Sequence, residues 1–313
     1  MHRSRPRTSA PLAGVHPTTV RKAGPASLCS IYIRKIFATP EGNKEIGGAT
    51  GFHYRDDGGR IWLVTNWHVL TGRRPDKPDV LLPALPRSPF RISVAYPGPE
   101  IGHFLPPVYL DLYHEGQPIW RQSKLEAGFD IAAILITPPE GAIVHCIQDF
   151  AERDDAALVP GLDVVIVGFP FEQGEDMPFP VWKRAMIAAE PRYTTFGVPQ
   201  TLLDTPGAPG MSGSPVFRTS LGVSVTREQY DAFHAKDFGS SRALELMKSL
   251  EGVTRETVTL RWIGIYAGAR SGEAIDRLSL GRMFFASAVD MATMHGEPGH
   301  NPFPPDDCQP END

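Results

Sequence analysis

The chain has 313 residues, of which 41% are hydrophobic and 21% charged, and its formal net charge is −5. That is enough chain for one large domain or two small ones with a proper core. It offers no basic footprint for nucleic acid or an anionic membrane, and no apolar run approaches the roughly 18 residues that span a bilayer.

Three cysteines (Cys29, Cys146, Cys308) at unpaired spacing argue against a disulfide framework. Proline occurs 31 times, against roughly 16 at average usage, and glycine 30 times. This composition favours short strands joined by tight turns over a helical bundle. The first residues, Met1 to Pro11, are basic but lack an apolar stretch behind them, so they do not read as a secretory signal. A reducing cytoplasm is the expected location.

In chain order, residues 1–26 carry Arg, Pro, Ser and Thr without periodicity and read as a disordered lead-in. Ser30–Phe37 is the first strand, Gly47–Tyr54 the second. Asp56-Asp57-Gly58-Gly59 makes a hairpin turn into Arg60–Asn66, which runs straight into Trp67-His68-Val69-Leu70. Short strands follow at Arg91–Tyr96, Val108–Tyr113 and Asp130–Ile136, and Glu152–Asp155 connects two halves. The second half opens with Leu158–Pro170, a turn followed by a buried-type strand. Val181–Ala189 and Thr201–Asp204 come next, and the latter leads into a Pro/Gly-rich loop. After Phe217 the pattern turns helical: Thr226 to Gln229 fits a capping box, and Tyr230, Phe233, Leu244, Met247 and Leu250 fall at helical spacing. Strand character returns at Thr257–Ala267 and Met283–Ala288. A short helix covers Val289–Met294, and residues 295–313 read as a disordered tail.

The loop Asp204–Phe217 carries the chemistry. Gly210 and Gly213 leave the backbone around Ser212 without Cβ atoms, so it can turn sharply and aim amide N–H groups beside the hydroxyl. Acyl transfer needs that arrangement: a nucleophilic oxygen next to donors for a tetrahedral oxyanion. The competing reading is an ordinary surface turn. Such a serine also needs a base and a carboxylate to orient it. Of ten histidines, His68 sits where an apolar strand meets a loop; its bland alternative is a half-buried structural histidine. Asp130 heads a buried strand, where a carboxylate is costly unless paired, or else merely caps a turn.

The order His68, Asp130, Ser212, across two β-rich halves, resembles the chymotrypsin-like (trypsin-fold) serine peptidases. It is closest to bacterial Deg/HtrA-type and stand-alone trypsin-like peptidase domains, here without a PDZ domain. Ala49–Phe52 is similar to the Gly-Ser-Gly-Phe that opens those domains, Leu63–Leu70 to their histidine motif, and Phe129–Ala132 to their aspartate motif. Val167–Phe171 is similar to their Gly-Asn-Pro-Phe turn and Pro209–Pro215 to their serine motif.

The resemblance implies an all-β fold of two six-stranded antiparallel barrels, with a helical insert in the second and a short C-terminal helix. The peptidase domain would cover 27–294, with barrels at about 28–150 and 156–294 and the insert at about 218–256. It implies a serine endopeptidase with His68, Asp130 and Ser212 catalytic and the N–H groups of Gly210 and Ser212 as oxyanion hole. Thr205, Pro206, Ala267, Gly268 and Ala269 would line a substrate pocket suited to small or medium apolar side chains. No metal or other cofactor is implied. The partners are a protein or peptide substrate and, through the insert, a regulatory partner or second copy. A catalytically silent binding module of the same fold, or an esterase using the same site, stays open.

Three positions depart from the family pattern. Met211 stands where digestive members have an aspartate. Ala267 stands where a Ser or Thr hydroxyl usually backs the triad aspartate. The insert replaces a short hairpin.

Overall fold

The computed structural model describes residues 24–99, 104–123, 129–154, 158–172, 179–191, 200–223, 256–269 and 279–305. The strands are β1 (Ser30–Thr39), β2 (Gly42–Arg55), β3 (Ile61–Thr65), β4 (Arg91–Val94), β5 (Val108–Asp111), β6 (Arg121–Gln122) and β7 (Ala132–Leu135) in the first half. The second half has β8 (Asp163–Gly168), β9 (Val181–Ile187), β10 (Gln200–Asp204), β11 (Pro215–Val223), β12 (Glu256–Ala269) and β13 (Leu280–Phe285). Three short helices, α1 (Pro25–Cys29), α2 (Trp67–Thr71) and α3 (Ala286–Thr293), complete the main elements. None of the helices described is long and apolar enough to cross a membrane.

Two curled sheets follow from this order. In the second, β12-β11-β8-β9-β10-β13 are neighbours in turn, and β13 pairs back onto β12, so six strands close into a barrel. Its interior holds Val164, Ile166, Ala185, Leu203, Val216, Ile263 and Met283. The first sheet runs Glu297–Pro298, β6, β7, β3, β2, β1, β4, β5 and stays open as a half-barrel among the described residues. Its inner face is filled by Ile31, Ile33, Leu63, Trp67, Leu70, Ile92 and Ile134. A third apolar cluster lies where the halves meet, with Phe52, Val64, Phe129 and Ile131 against Phe217, Trp262, Ile265 and Phe284. Many of their strand residues fall at alternate positions, Leu63 and Val64 for instance facing different clusters, as a two-faced sheet requires, and the short helices add the rest.

Several boundaries differ from the sequence reading. The lead-in does not stay disordered to residue 26: Pro25–Cys29 is helical, with Ala26 and Cys29 buried, because these small and apolar residues cap the interlobe cluster. Likewise the tail is ordered beyond 295. Glu297 and Pro298 pair with Gln122 and Arg121, Asn301 Nδ2 donates to the Tyr113 hydroxyl (2.8 Å), and the Arg73 guanidinium lies over the Phe303 ring. These Pro- and Asn-rich residues have no periodicity of their own. They are ordered by an edge strand that needs a partner.

Met283–Ala288 is not all strand, since α3 begins at Ala286. The β11–β12 hairpin reaches further than expected, with Arg218↔Arg261 through Val223↔Glu256 still paired. The helical positions assigned to the insert, Thr226 to Leu250, lie outside the described residues.

Candidate active site

His68 is set by local rules. β3 ends at Thr65, Asn66 has extended backbone (φ −82°, ψ 150°), and the five residues of α2 follow. Gly72 closes the turn in the left-handed region (φ 69°), its N–H donating to His68 O. His68 is therefore on a one-turn helix, not in a loop, and it is buried.

Asp130 lies beside it, just before β7, and is fully buried. Its Oδ2 is 2.6 Å from His68 Nδ1, its Oδ1 accepts the His68 backbone N–H at 3.0 Å, and its carbonyl accepts Asn66 Nδ2 at 2.7 Å. Two contacts to one residue fix the carboxylate against the imidazole, which leaves Nε2 as the other ring nitrogen. A buried carboxylate persists only when paired in this way. Arg282, on β13, comes within 3.8 Å of the same Oδ2.

The serine loop is built by glycine. Gly210 and Gly213 have φ of +91° and +88°. A Cβ on Gly210 would stand 2.2 Å from Phe169 O, and one on Gly213 would stand 1.9 Å from Thr50 O. No side chain fits at either place. The loop thus packs directly on the other lobe: Thr50 N–H donates to Ser212 O (2.9 Å), and Thr50 Oγ1 donates to Gly210 O (2.8 Å) and accepts Phe169 N–H (3.0 Å).

The amides of the loop divide into two sets. Those of Met211, Gly213 and Ser214 donate to Ala208 O, Tyr266 O and Met211 O. The N–H groups of Gly210 and Ser212 meet no protein acceptor among the described residues. Ser212 is half-buried, and no hydrogen bond joins it to His68 among the described residues. In unliganded sites such contacts are often long.

Of the residues assigned to the pocket, Gly268 lies against Ser212, and Thr205 and Pro206 share a partner in Lys183. Thr205 and Ala267 are buried, and a Cβ on Gly268 would stand 3.0 Å from Ser212 Oγ. Lys183 Nζ donates to Thr205 Oγ1 and, at 2.7 Å, to Pro206 O, and partial burial lowers its pKa. Tyr266, next to Ala267 on β12, buries a hydroxyl with no partner among the described residues. Met211 is buried in the apolar interior of the second barrel, an unsuitable place for an ion-pair acceptor.

Thr50, Lys183 and Arg282 were not singled out in the sequence as site residues. Thr50 lies inside a motif but its hydroxyl's double role is a tertiary fact. Lys183 and Arg282 carry no local signal at all.

A family model for the trypsin-like peptidase domain matches residues 49–225. The chain belongs to this family. No curated protein matches it. Solved structures are similar at low identity. Rv3671c of M. tuberculosis H37Rv, in an inactive serine-to-alanine mutant form, is 16% identical over 86% of this chain and 85% of its own, with a TM-score of 0.42. The thermostable serine protease AL20 from an extremophilic microorganism is 11% identical over 87% and 100%, with a TM-score of 0.44. The protease Anisep of Arthrobacter nicotinovorans is 10% identical over 83% and 91%, with a TM-score of 0.42. The trypsin-like peptidase family acts on peptide or protein substrates, and the fold of this member is mostly β with few helices.

Proposed function

We propose that this chain is a serine endopeptidase working through His68, Asp130 and Ser212. His68 Nε2 takes the Ser212 proton as Oγ bonds to the scissile carbonyl carbon. The oxyanion that forms is held by the Gly210 and Ser212 N–H groups. Collapse breaks the C–N bond, and His68 returns the proton to the leaving amine. Water then repeats the sequence on the acyl-enzyme and restores Ser212. Asp130 keeps the proton of neutral His68 on Nδ1 and stabilises the imidazolium between steps.

The observation that carries this reading is the division of amides in the serine loop. Between Gly210 and Ser214, three N–H groups donate within the protein, while those of Gly210 and Ser212 meet no acceptor among the described residues. Gly210 is buried, where an unpaired N–H group is costly unless something accepts from it.

The pocket reading is for small or medium apolar side chains before the cut. Lys183, donating to Thr205 and Pro206, adds a reason against basic side chains, since a second cation would be brought against an ammonium group.

A fluorophosphonate probe should label the wild type and fail to label Ser212→Ala or His68→Ala, with peptide turnover falling by roughly three orders of magnitude or more in both. Labelling that survives in either variant, or more than a tenth of the activity, overturns the triad. An unlabelled wild type points to a silent binding module. A peptide library dominated by Arg or Lys before the cut overturns the pocket reading alone.

A further inference from the structure

Asp130 Oδ2 is the oxygen that pairs with His68, and it is fully buried. By the resemblance noted above, the position on β12 that usually supplies a hydroxyl behind this carboxylate is Ala267, which has only a methyl group. Across that strand, the register of β12 with β13 breaks between Tyr266↔Met283 and Ala269↔Gly281, which puts Arg282 opposite the bulge at Ala267 and Gly268. Its Nη2 donates to Ala267 O at 3.0 Å and stands 3.8 Å from Asp130 Oδ2. The second distance is outside hydrogen-bond range but within that of an ion pair. Its Nε is buried without a partner among the described residues. A partly buried guanidinium so held, with one donor spent on a backbone carbonyl and its Nε buried and unmatched among the described residues, is explained by the carboxylate it faces.

We propose that Arg282 is a positioning residue: it replaces the missing hydroxyl on β12 by setting a fixed positive charge behind the carboxylate that orients His68. This rests on the catalytic reading above. The effect is on charge as much as on geometry. Paired with Arg282, Asp130 presents less net negative charge to the imidazole, so the guanidinium opposes part of the attraction between the carboxylate and the imidazolium.

Two other titratable groups among the described residues lie near this ion pair. Tyr266, on β12, is pushed up to about 12 by burial. Asp76, on the hairpin after α2, is held below the usual carboxylate range by its hydrogen bonds from Arg74, and Arg282 adds to the effect. Asp130 and His68 are the remaining partners.

The test compares wild type with Arg282→Gln, which removes the charge, and Arg282→Lys, which keeps it. Arg282→Met preserves the packing of the stem if the amide is not tolerated. In the Gln or Met variant the acid limb of the kcat/KM profile should move to higher pH, kcat should fall roughly tenfold and KM change little. Lys should restore the position of the limb. A structural role alone would lower stability and leave the limb in place.

A second readout does not need turnover: the low-field proton resonance of His68 Nδ1, followed against pH, should titrate later in the Gln or Met variant. An acid limb and a resonance both unmoved would overturn the proposal even with a fully active enzyme. An unlabelled wild type would sink the catalytic reading while the resonance still decides the role of Arg282.

Discussion

Individual side chains on β2 do unequal work, and His53 is the clearest case. It is buried in the first lobe, its ring stacks on Tyr96 at 5.4 Å, and neither ring nitrogen has a partner among the described residues. Burial, with a smaller contribution from His145, pushes its pKa down to about 4 from 6.5. The folded value lies below the unfolded one, so the unfolded chain binds the extra proton first as pH falls. Stability should therefore be intact above pH 6.5 and be lost progressively down to about pH 4. The loss is about 3 kcal/mol over that window. Chemical denaturation at pH 7 and pH 4.5 measures it, and His53→Phe should flatten the difference. An equal fall in the variant would assign the acid sensitivity elsewhere. In the sequence His53 is set apart from His68 by position alone, mid-strand rather than at a strand end; in the fold it is the partner that differs, Tyr96 for His53 and Asp130 for His68.

Elements were legible where alternation or a turn residue marks them. The hairpin at Asp56–Gly59 is one example: Asp56 accepts the N–H groups of Gly58 and Arg60, a local device visible in local sequence. What escaped was order imposed from outside. Residues 295–305 have no pattern, yet they form a strap across the first lobe. Trp67 Nε1 donates to His300 O (3.0 Å), Gly299 N–H donates to Trp120 O (2.7 Å), and Asn301 bridges Ser88 and Tyr113. The strap thus holds the indole next to His68 in the chain. Asn301→Ala should destabilise the protein by about 2 kcal/mol, since it leaves buried groups on both sides unpaired. Unchanged denaturation would make the strap a passive covering. In the site, the serine loop and histidine turn could be read from residue types, because glycine placement is a backbone requirement. Arg282 could not, because its meaning depends on the register of β13.

At the scale of the whole molecule, the β11–β12 hairpin sets where the insert can act. From Pro215 to Val223 the strand runs about 26 Å away from the serine loop, and it is still paired with β12 at Val223↔Glu256. Residues 224–255 therefore join the hairpin at its far end. Replacing them by a short Gly-containing turn should leave cleavage of small peptides within a few-fold of the parent, with changes confined to protein substrates, assembly or regulation. A folded deletion that no longer cuts small peptides would refute this separation.

The strap has a temporal meaning as well. Synthesis runs from the first lobe to the second, but the edge of the first lobe at Arg121 and Gln122 is covered by Glu297 and Pro298. At the usual 5–20 residues per second, roughly 10–40 s separate the two on the ribosome. Through that interval the half holding His68 and Asp130 carries an uncovered edge, and the second lobe, Ser212 included, is made meanwhile. The first lobe is thus not completed until nearly all of the chain has emerged. The late-closing edge orders assembly in time, and it is also the interval in which an exposed strand most needs protection from other chains.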